Sequence, residues 1–298
     1  MKKFILDVFI AICVFLASWG CAEYLMTRAN VVNTYSYKYN YVKNNPAIKT
    51  LLIGHSHFEN SINPYLMGDS VFDFAISGRW IYYDAQLLPK MIPQMPNLQN
   101  VIFPLGYQMP YGSWHYKNIR DIDKDYAYNY AQHMDTYYDR FPENMYLSSA
   151  LIANKMGMKY FRDEPQDSLG YSRVYGHEDY FENHNVKPNV YEGDTATLCY
   201  KEFRLYLTLL AEVCYDNHIR FIAVTCPCAD CFVKNTREQG IKNLYDLIDS
   251  VRVYYPIEYY NYLNDSEFRE DSIYYNCSHL NSIGADMFAI RLKKDLGL

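Results

Sequence analysis

The chain has 298 residues, half of them hydrophobic and 21% charged, with a formal net charge of −6. That is enough apolar material for one sizeable α/β core, alone or with a small appended domain, and too much for a disordered chain. Lys and Arg form no long runs, which excludes a phosphate-tracking groove and nucleic acid as a partner. Tyrosine is common, at 33 residues. These rings either offer stacking platforms to sugars or fill ordinary core, and core is the more economical reading.

Met1-Lys2-Lys3 precedes an apolar stretch, Phe4 to Gly20, broken only by Asp7. The pattern predicts a signal peptide or signal anchor with the lysines on the cytoplasmic side. Its roughly 17 residues reach the short limit for a membrane span, and Cys21 to Met26 extend it to about 22. An uncleaved single-pass anchor over residues 1–26 is the preferred reading, with the rest of the chain on the extracytoplasmic side. A cleaved signal and a buried helix are the alternatives. Cys21, after Ser18-Trp19-Gly20, also suits a lipoprotein site, although Ser18 stands where Leu is usual. Residues 27–47 carry Tyr, Asn and Lys without clean periodicity and read as a tether that becomes ordered near Pro46.

Thr50 to Ile53 is a short apolar run that predicts a buried strand, which puts Ser56 on the turn at its C-terminal end. Asn60 to Met67 follows as a short helix or turn, Val71 to Ile76 as a second strand, and Trp80 to Met95 as a helix. Asn100 to Leu105 is the third strand. This β-α-β-α-β order implies a parallel sheet covered on both faces. Between residues 108 and 197 the periodicity dissolves into a Tyr- and Asp-rich region, with helical pieces at Asp125 to Phe141 and Asn144 to Met158. Such a length is too great for a bare loop, so a mainly helical folded insertion is expected, covering either the Ser56 site or an edge of the sheet. Leu198 to Asn217 predicts a helix, Phe221 to Thr225 a strand, Thr236 to Val251 a helix, and Pro256 to Tyr260 a fifth strand. A polar connection then delivers His279. Ser282 is a candidate N-cap for a closing helix from Ile283 to Leu296.

Two short segments carry the chemistry: Gly54-His55-Ser56-His57 after the first strand, and Asn276-Cys277-Ser278-His279-Leu280-Asn281 before the last helix. Together they resemble the SGNH or GDSL hydrolases, whose first block ends in a nucleophilic Ser and whose last block is Asp-x-x-His. The run from His279 to Ala285 is similar to the HLN-x-x-GA ending of the branch that holds membrane-anchored polysaccharide O-acyltransferases and the D-alanyl transfer protein. The resemblance covers residues 48–298, apart from the insertion. It implies a three-layer, flavodoxin-like α/β sandwich with a parallel sheet of about five strands. It further implies Ser56 as nucleophile, His279 as base, and an oxyanion hole from the amides of Ser56 and Gly78, the Gly ending Val71 to Gly78. Gln108 would be the third donor where the family has Asn. The family's Asp before Ser is here His55, and the last-block Asp is Asn276. An amide can orient the imidazole but brings no charge; in a serine protease the same exchange costs about 10⁴ in turnover, while Cys-His-Asn enzymes work.

His55 and His57 form a His-x-His after a strand, which is also how many metal-dependent amidohydrolases begin, but a catalytic metal site needs a third ligand and usually a carboxylate, and the other histidines show no matching strand-end pattern. His57 is better read as a substrate-side or turn residue, and neither metal nor cofactor is expected. Cys226, Cys228 and Cys231 share one loop, where a bridge from Cys228 or Cys231 to Cys277 and free thiols are both open. The resulting expectation is an extracytoplasmic serine esterase or O-acyltransferase acting on acyl esters of a cell-surface polysaccharide. A membrane-bound acyl-transfer partner fits that setting. The alternative is a catalytically silent component with the same fold that binds or assembles surface polymer.

Overall fold

The computed structural model describes residues 1–28, 34–111, 167–178 and 194–298. These fall into two compact units, one holding residues 1–28 and 34–37, the other residues 38–111, 167–178 and 194–298. In the first, helix α1 (Lys2–Arg28) contains the apolar segment Lys2–Cys21, with a mean hydropathy of 2.3 and no buried residue. At about 1.5 Å per residue it is long enough to cross a bilayer core of about 30 Å.

Helix α2 (Thr34–Asn44) runs through the stretch expected to be a tether. Lys38 and Val42, one turn apart, are both fully buried, and Tyr41 stacks on Phe72 with centroids 4.2 Å apart. The apolar periodicity was invisible because one of the two inward positions is a lysine. Its ammonium reaches Glu59 and the carbonyl of Ala75.

Five strands, β1 (Thr50–Leu52), β2 (Val71–Asp73), β3 (Asn100–Pro104), β4 (Arg220–Thr225) and β5 (Glu258–Asn261), form one parallel sheet in the order β2-β1-β3-β4-β5. Leu52, Ile102, Ile222 and Val224 point to one face, and Leu51, Val101, Phe103, Phe221 and Ala223, all buried, alternate to the other. The first face is covered by α4 (Pro64–Met67) and the closing helix α9 (Ser282–Leu296), through Met67, Phe288, Ala289 and Leu292. The remaining long helices, α5 (Ile81–Met91), α6 (Asp194–Asp216) and, after the one-turn α7 (Asp230–Val233), α8 (Glu238–Arg252), pack on one another, with Trp80 edge-on to Phe203 at 5.6 Å. Each fully buried Leu or Phe is worth about 1.5–3 kcal/mol. An exposed ion pair such as Arg220 with Glu258 adds at most about 1 kcal/mol, so apolar burial dominates.

The chain steps from β1 to β2 on one side and returns across β1 to β3 on the other. That reversal leaves a crevice at the C-terminal ends of β1 and β3, the usual place for ligands in open α/β sheets. The short helix α3 (Ser56–Glu59) starts there.

Two features differ from the sequence reading near the second motif. A two-stranded antiparallel hairpin, β6 (Tyr274–Asn276) and β7 (His279–Leu280), presents the motif at its turn. Asn281, not Ser282, caps α9: its side-chain oxygen accepts from the amides of Ile283 (3.0 Å) and Gly284 (3.2 Å). Its amide group also donates to the Ser272 carbonyl at 2.8 Å, which fastens the start of the helix to the segment before the hairpin. The Ser282 amide instead donates to Val174.

The helical pieces expected at 125–141 and 144–158 lie outside the described residues. The described part of the expected insertion, residues 167–178, is a non-helical strap. Its backbone bonds in turn to Asp73, Glu59, Ser282 and Tyr275, at 2.7–3.1 Å.

Candidate active site

The turn after β1 is set by Gly54, whose φ is +107° and where an added Cβ would lie 2.4 Å from Pro104 Cδ on β3. Only glycine lets the chain pass that close to the neighbouring strand. His55 then caps α3 and Ser56 opens it, so the hydroxyl stands at the crevice. Across it the hairpin brings His279, 223 residues away in sequence, to 2.8 Å between Nε2 and Ser56 Oγ.

The hydrogen bonds around Asn276 decide the tautomer. Its Oδ1 accepts from the backbone amides of Ser278 (3.1 Å) and His279 (3.0 Å), which identifies that atom as the oxygen. It also lies 3.0 Å from His279 Nδ1; the Ser278 hydroxyl, 3.0 Å from the same nitrogen, donates to Oδ1 at 3.4 Å, so Nδ1 carries the proton. The lone pair is then on Nε2, and Ser56 Oγ–H donates to it. Burial drives the His279 pKa down to about 4, opposed by the negative charge of Glu178. The imidazole is therefore neutral, with its basic nitrogen aimed at a serine hydroxyl within general-base reach.

Two further imidazoles back it. His57 stacks on His279 at 4.6 Å, and His55 stands edge-on to His57 at 4.8 Å. His55 Nδ1 accepts from the His57 amide (3.4 Å) and lies 3.1 Å from His57 Nδ1, so His57 Nδ1 donates and His55 Nε2 carries the proton toward Met109 Sδ at 3.2 Å. Burial, with the His279 imidazole and the Arg79 guanidinium, holds the His55 pKa at about 3, and burial, with His279 and His55, holds that of His57 well below its ordinary value. Among the described residues no group of three potential ligands could hold a metal ion.

Gly78 follows β2 on the same sheet edge, in a turn with φ of +78°. The Ile76 amide donates to the Gly54 carbonyl at 3.0 Å, tying this turn to the one that bears Ser56. Glu59, at the end of α3, accepts from the amide (2.5 Å) and hydroxyl (2.6 Å) of Ser77. Gln108 sits on the loop after β3 and lines a pocket with His55, His57, Leu105, Tyr107, Val224 and Phe232. Its Oε1 is buried without a partner among the described residues.

Several supporting residues escaped the sequence reading. Lys38 and Glu59 form a buried pair at 3.4 Å, and Arg79 donates to the carbonyls of Gly54 (3.1 Å) and Phe74 (2.6 Å) while pairing with buried Asp84 at 2.9 Å. Burial raises Asp73 to about 7 and Asp84 to about 6. Ser56-His-Phe-Glu59 has the spacing of a capping box, the one local signal for Glu59, yet the carboxylate holds Ser77 instead. Nothing local marks Glu178. Of the open cysteine pairings, the structure has Cys231 with Cys277, which ties the loop after β4 to the hairpin beside Asn276.

No protein family matches the chain, nor does any curated protein. Among solved structures, one from Streptococcus pneumonia, provisionally described as a platelet activating factor, aligns with a TM-score of 0.39 and 10% identity, over 98% of this chain and 98% of that one. At that TM-score the likeness carries no argument about activity.

Proposed function

We propose that the protein is a serine esterase or O-acyltransferase of the SGNH type, anchored in the membrane by α1 and acting outside the cytoplasm on acyl esters of a surface polysaccharide. The observation that carries this reading is the relay Ser56 Oγ–H to His279 Nε2 at 2.8 Å, with Nδ1–H to Asn276 Oδ1 at 3.0 Å. Ser56 attacks the acyl carbonyl and passes its proton to His279. The amides of Ser56 and Gly78, with Gln108, receive the oxyanion. Collapse expels the alkoxide, which takes the proton back from His279. Water resolves the Ser56 ester in hydrolysis, and a sugar hydroxyl resolves it in transfer. His57 lies on the substrate side. The carbohydrate substrate and a membrane-bound acyl donor rest on the motif resemblance together with the apolar helix.

The amide at Asn276 favours a second reading, a silent member that binds surface polymer. An activated-ester probe separates the two. Full-length protein is expected to be labelled covalently at Ser56, and Ser56→Ala to take no label. Equal labelling of both, or of neither, sinks the enzymatic reading.

A further inference from the structure

A triad carboxylate does two things: it fixes the imidazole tautomer and it stabilises the imidazolium. Asn276 accomplishes the first and, being neutral, not the second. The strap supplies a carboxylate close by. Between Val174 and Glu178 it is fastened three times to the elements that carry His279: the Ser282 amide donates to Val174 (2.7 Å), Asn281 Nδ2 to the Gly176 carbonyl (3.4 Å), and the Glu178 amide to the Tyr275 carbonyl (2.8 Å). Tyr275 immediately precedes Asn276, so Glu178 is pinned alongside β6 at the motif. Its Oε2 is buried and has no hydrogen-bond partner among the described residues.

We propose that Glu178 is the charge partner of His279, so that the two tasks of the missing aspartate are divided, orientation to Asn276 and charge to Glu178. This rests on Ser56 and His279 being nucleophile and base. A buried carboxylate oxygen without a partner is costly to hold in the resting site. When Ser56 gives its proton to His279, a cation forms beside it. The attraction therefore grows toward the transition state, where it lowers the barrier. Glu178 makes no ion pair with His279 in the resting site and acts through its field, as a positioning residue does.

The other groups facing His279 do not supply this charge. His57 in α3 and His55 at its cap are neutral, and burial and the His279 imidazole disfavour a proton on either. Asn276 and Ser278, from the hairpin, are uncharged, and Cys277 is in a disulfide. On the strap, Arg173 lies over the Tyr171 ring at 5.5 Å. Among the described residues, the charge that favours a proton on His279 is that of Glu178.

The test follows the His279 imidazole by NMR in the full chain in detergent, alongside turnover of a model acetyl ester against pH. Wild type is expected to titrate near pH 4, with the base limb of turnover at the same place. Removing the anion disfavours the imidazolium, so Glu178→Gln should move both midpoints to lower pH, by at least about threefold in proton affinity, and cut kcat about tenfold at unchanged KM. Glu178→Asp keeps the charge and should keep most of the midpoint, which separates charge from packing. In an Asn276→Asp background the effect of Glu178→Gln should shrink. An unshifted His279 midpoint in Glu178→Gln overturns the proposal even if Ser56 reacts normally. A shifted midpoint in a protein that neither reacts with the probe nor turns over ester supports the charge pairing and sinks the esterase reading alone.

Discussion

Asn276 Oδ1 accepts three N–H groups, from Ser278, His279 and the His279 ring, so it serves the hairpin turn and the imidazole at once. The two tasks have separate readouts, turnover for the imidazole and Tm for the turn. Asn276→Ala removes the acceptor, frees the ring to take the wrong tautomer, and should lower turnover by at least about a hundredfold. It should also cost about 1–2 kcal/mol of stability through the stranded backbone amides, read as a lowered Tm. Asn276→Asp keeps the acceptor and adds charge beside the imidazolium, so its turnover should equal or exceed wild type. Unchanged turnover in both variants, with Ser56→Ala inactive, makes Asn276 a bystander. Turnover that appears only in Asn276→Asp points to the polymer-binding reading instead.

At the level of elements, the site is the meeting of α3 and the β6–β7 hairpin. Neither is stable alone: one is a single turn, and the other pairs two very short strands. They are held from outside. Below α3 lies the buried Lys38–Glu59 pair with Ser77, and Arg79 on the Gly54 carbonyl. The hairpin is fixed by the strap on one side and the Cys231–Cys277 bridge on the other. Cross-linking positions 46 residues apart restricts the unfolded chain, with a contribution of about 2–4 kcal/mol. The double variant Cys231→Ser, Cys277→Ser should therefore unfold at lower denaturant. It should also lose kcat more than KM, because the hairpin that carries His279 is less well held. Identical denaturant midpoints and identical kcat would show that the bridge braces nothing.

For the whole molecule, the proposed anchor predicts two environments, a membrane for α1 and an oxidising compartment for the rest. Between Lys2 and Cys21, helix α1 exposes Phe4, Phe9, Phe15 and its other apolar side chains, a contiguous patch larger than soluble monomers usually expose. The other unit holds a disulfide, which persists in oxidising compartments. Fractionation should find the intact chain in the membrane, and a reporter fused after Leu298 should be active outside the cytoplasm, in keeping with Lys2 and Lys3 on the inner side. Reporter activity in the cytoplasm would contradict the orientation and leave the bridge without its oxidising surroundings.

What the sequence determined by itself was short-range. Apolar runs such as Leu51-Leu52-Ile53 mark strands through the residues beside them, the alternation of strands and helices implies a parallel sheet, and Ser56 and His279 stand out by their turn settings. The apolar helix at the N-terminus is legible for the same reason. Tertiary structure decided the rest. That Lys38 is a core residue depends on Glu59, 21 positions on, and the capping of α9 by Asn281 depends on a carbonyl at Ser272. The choice of Cys231 for the bridge depends on where β4 delivers its loop. The place of Glu178 beside the hairpin depends on how the strap crosses the sheet edge. Electrostatic partners of this kind are fixed by strand order and by which chain segments share an edge. Residue spacing along the chain does not encode that information locally, whereas hydrophobic periodicity and turn chemistry do.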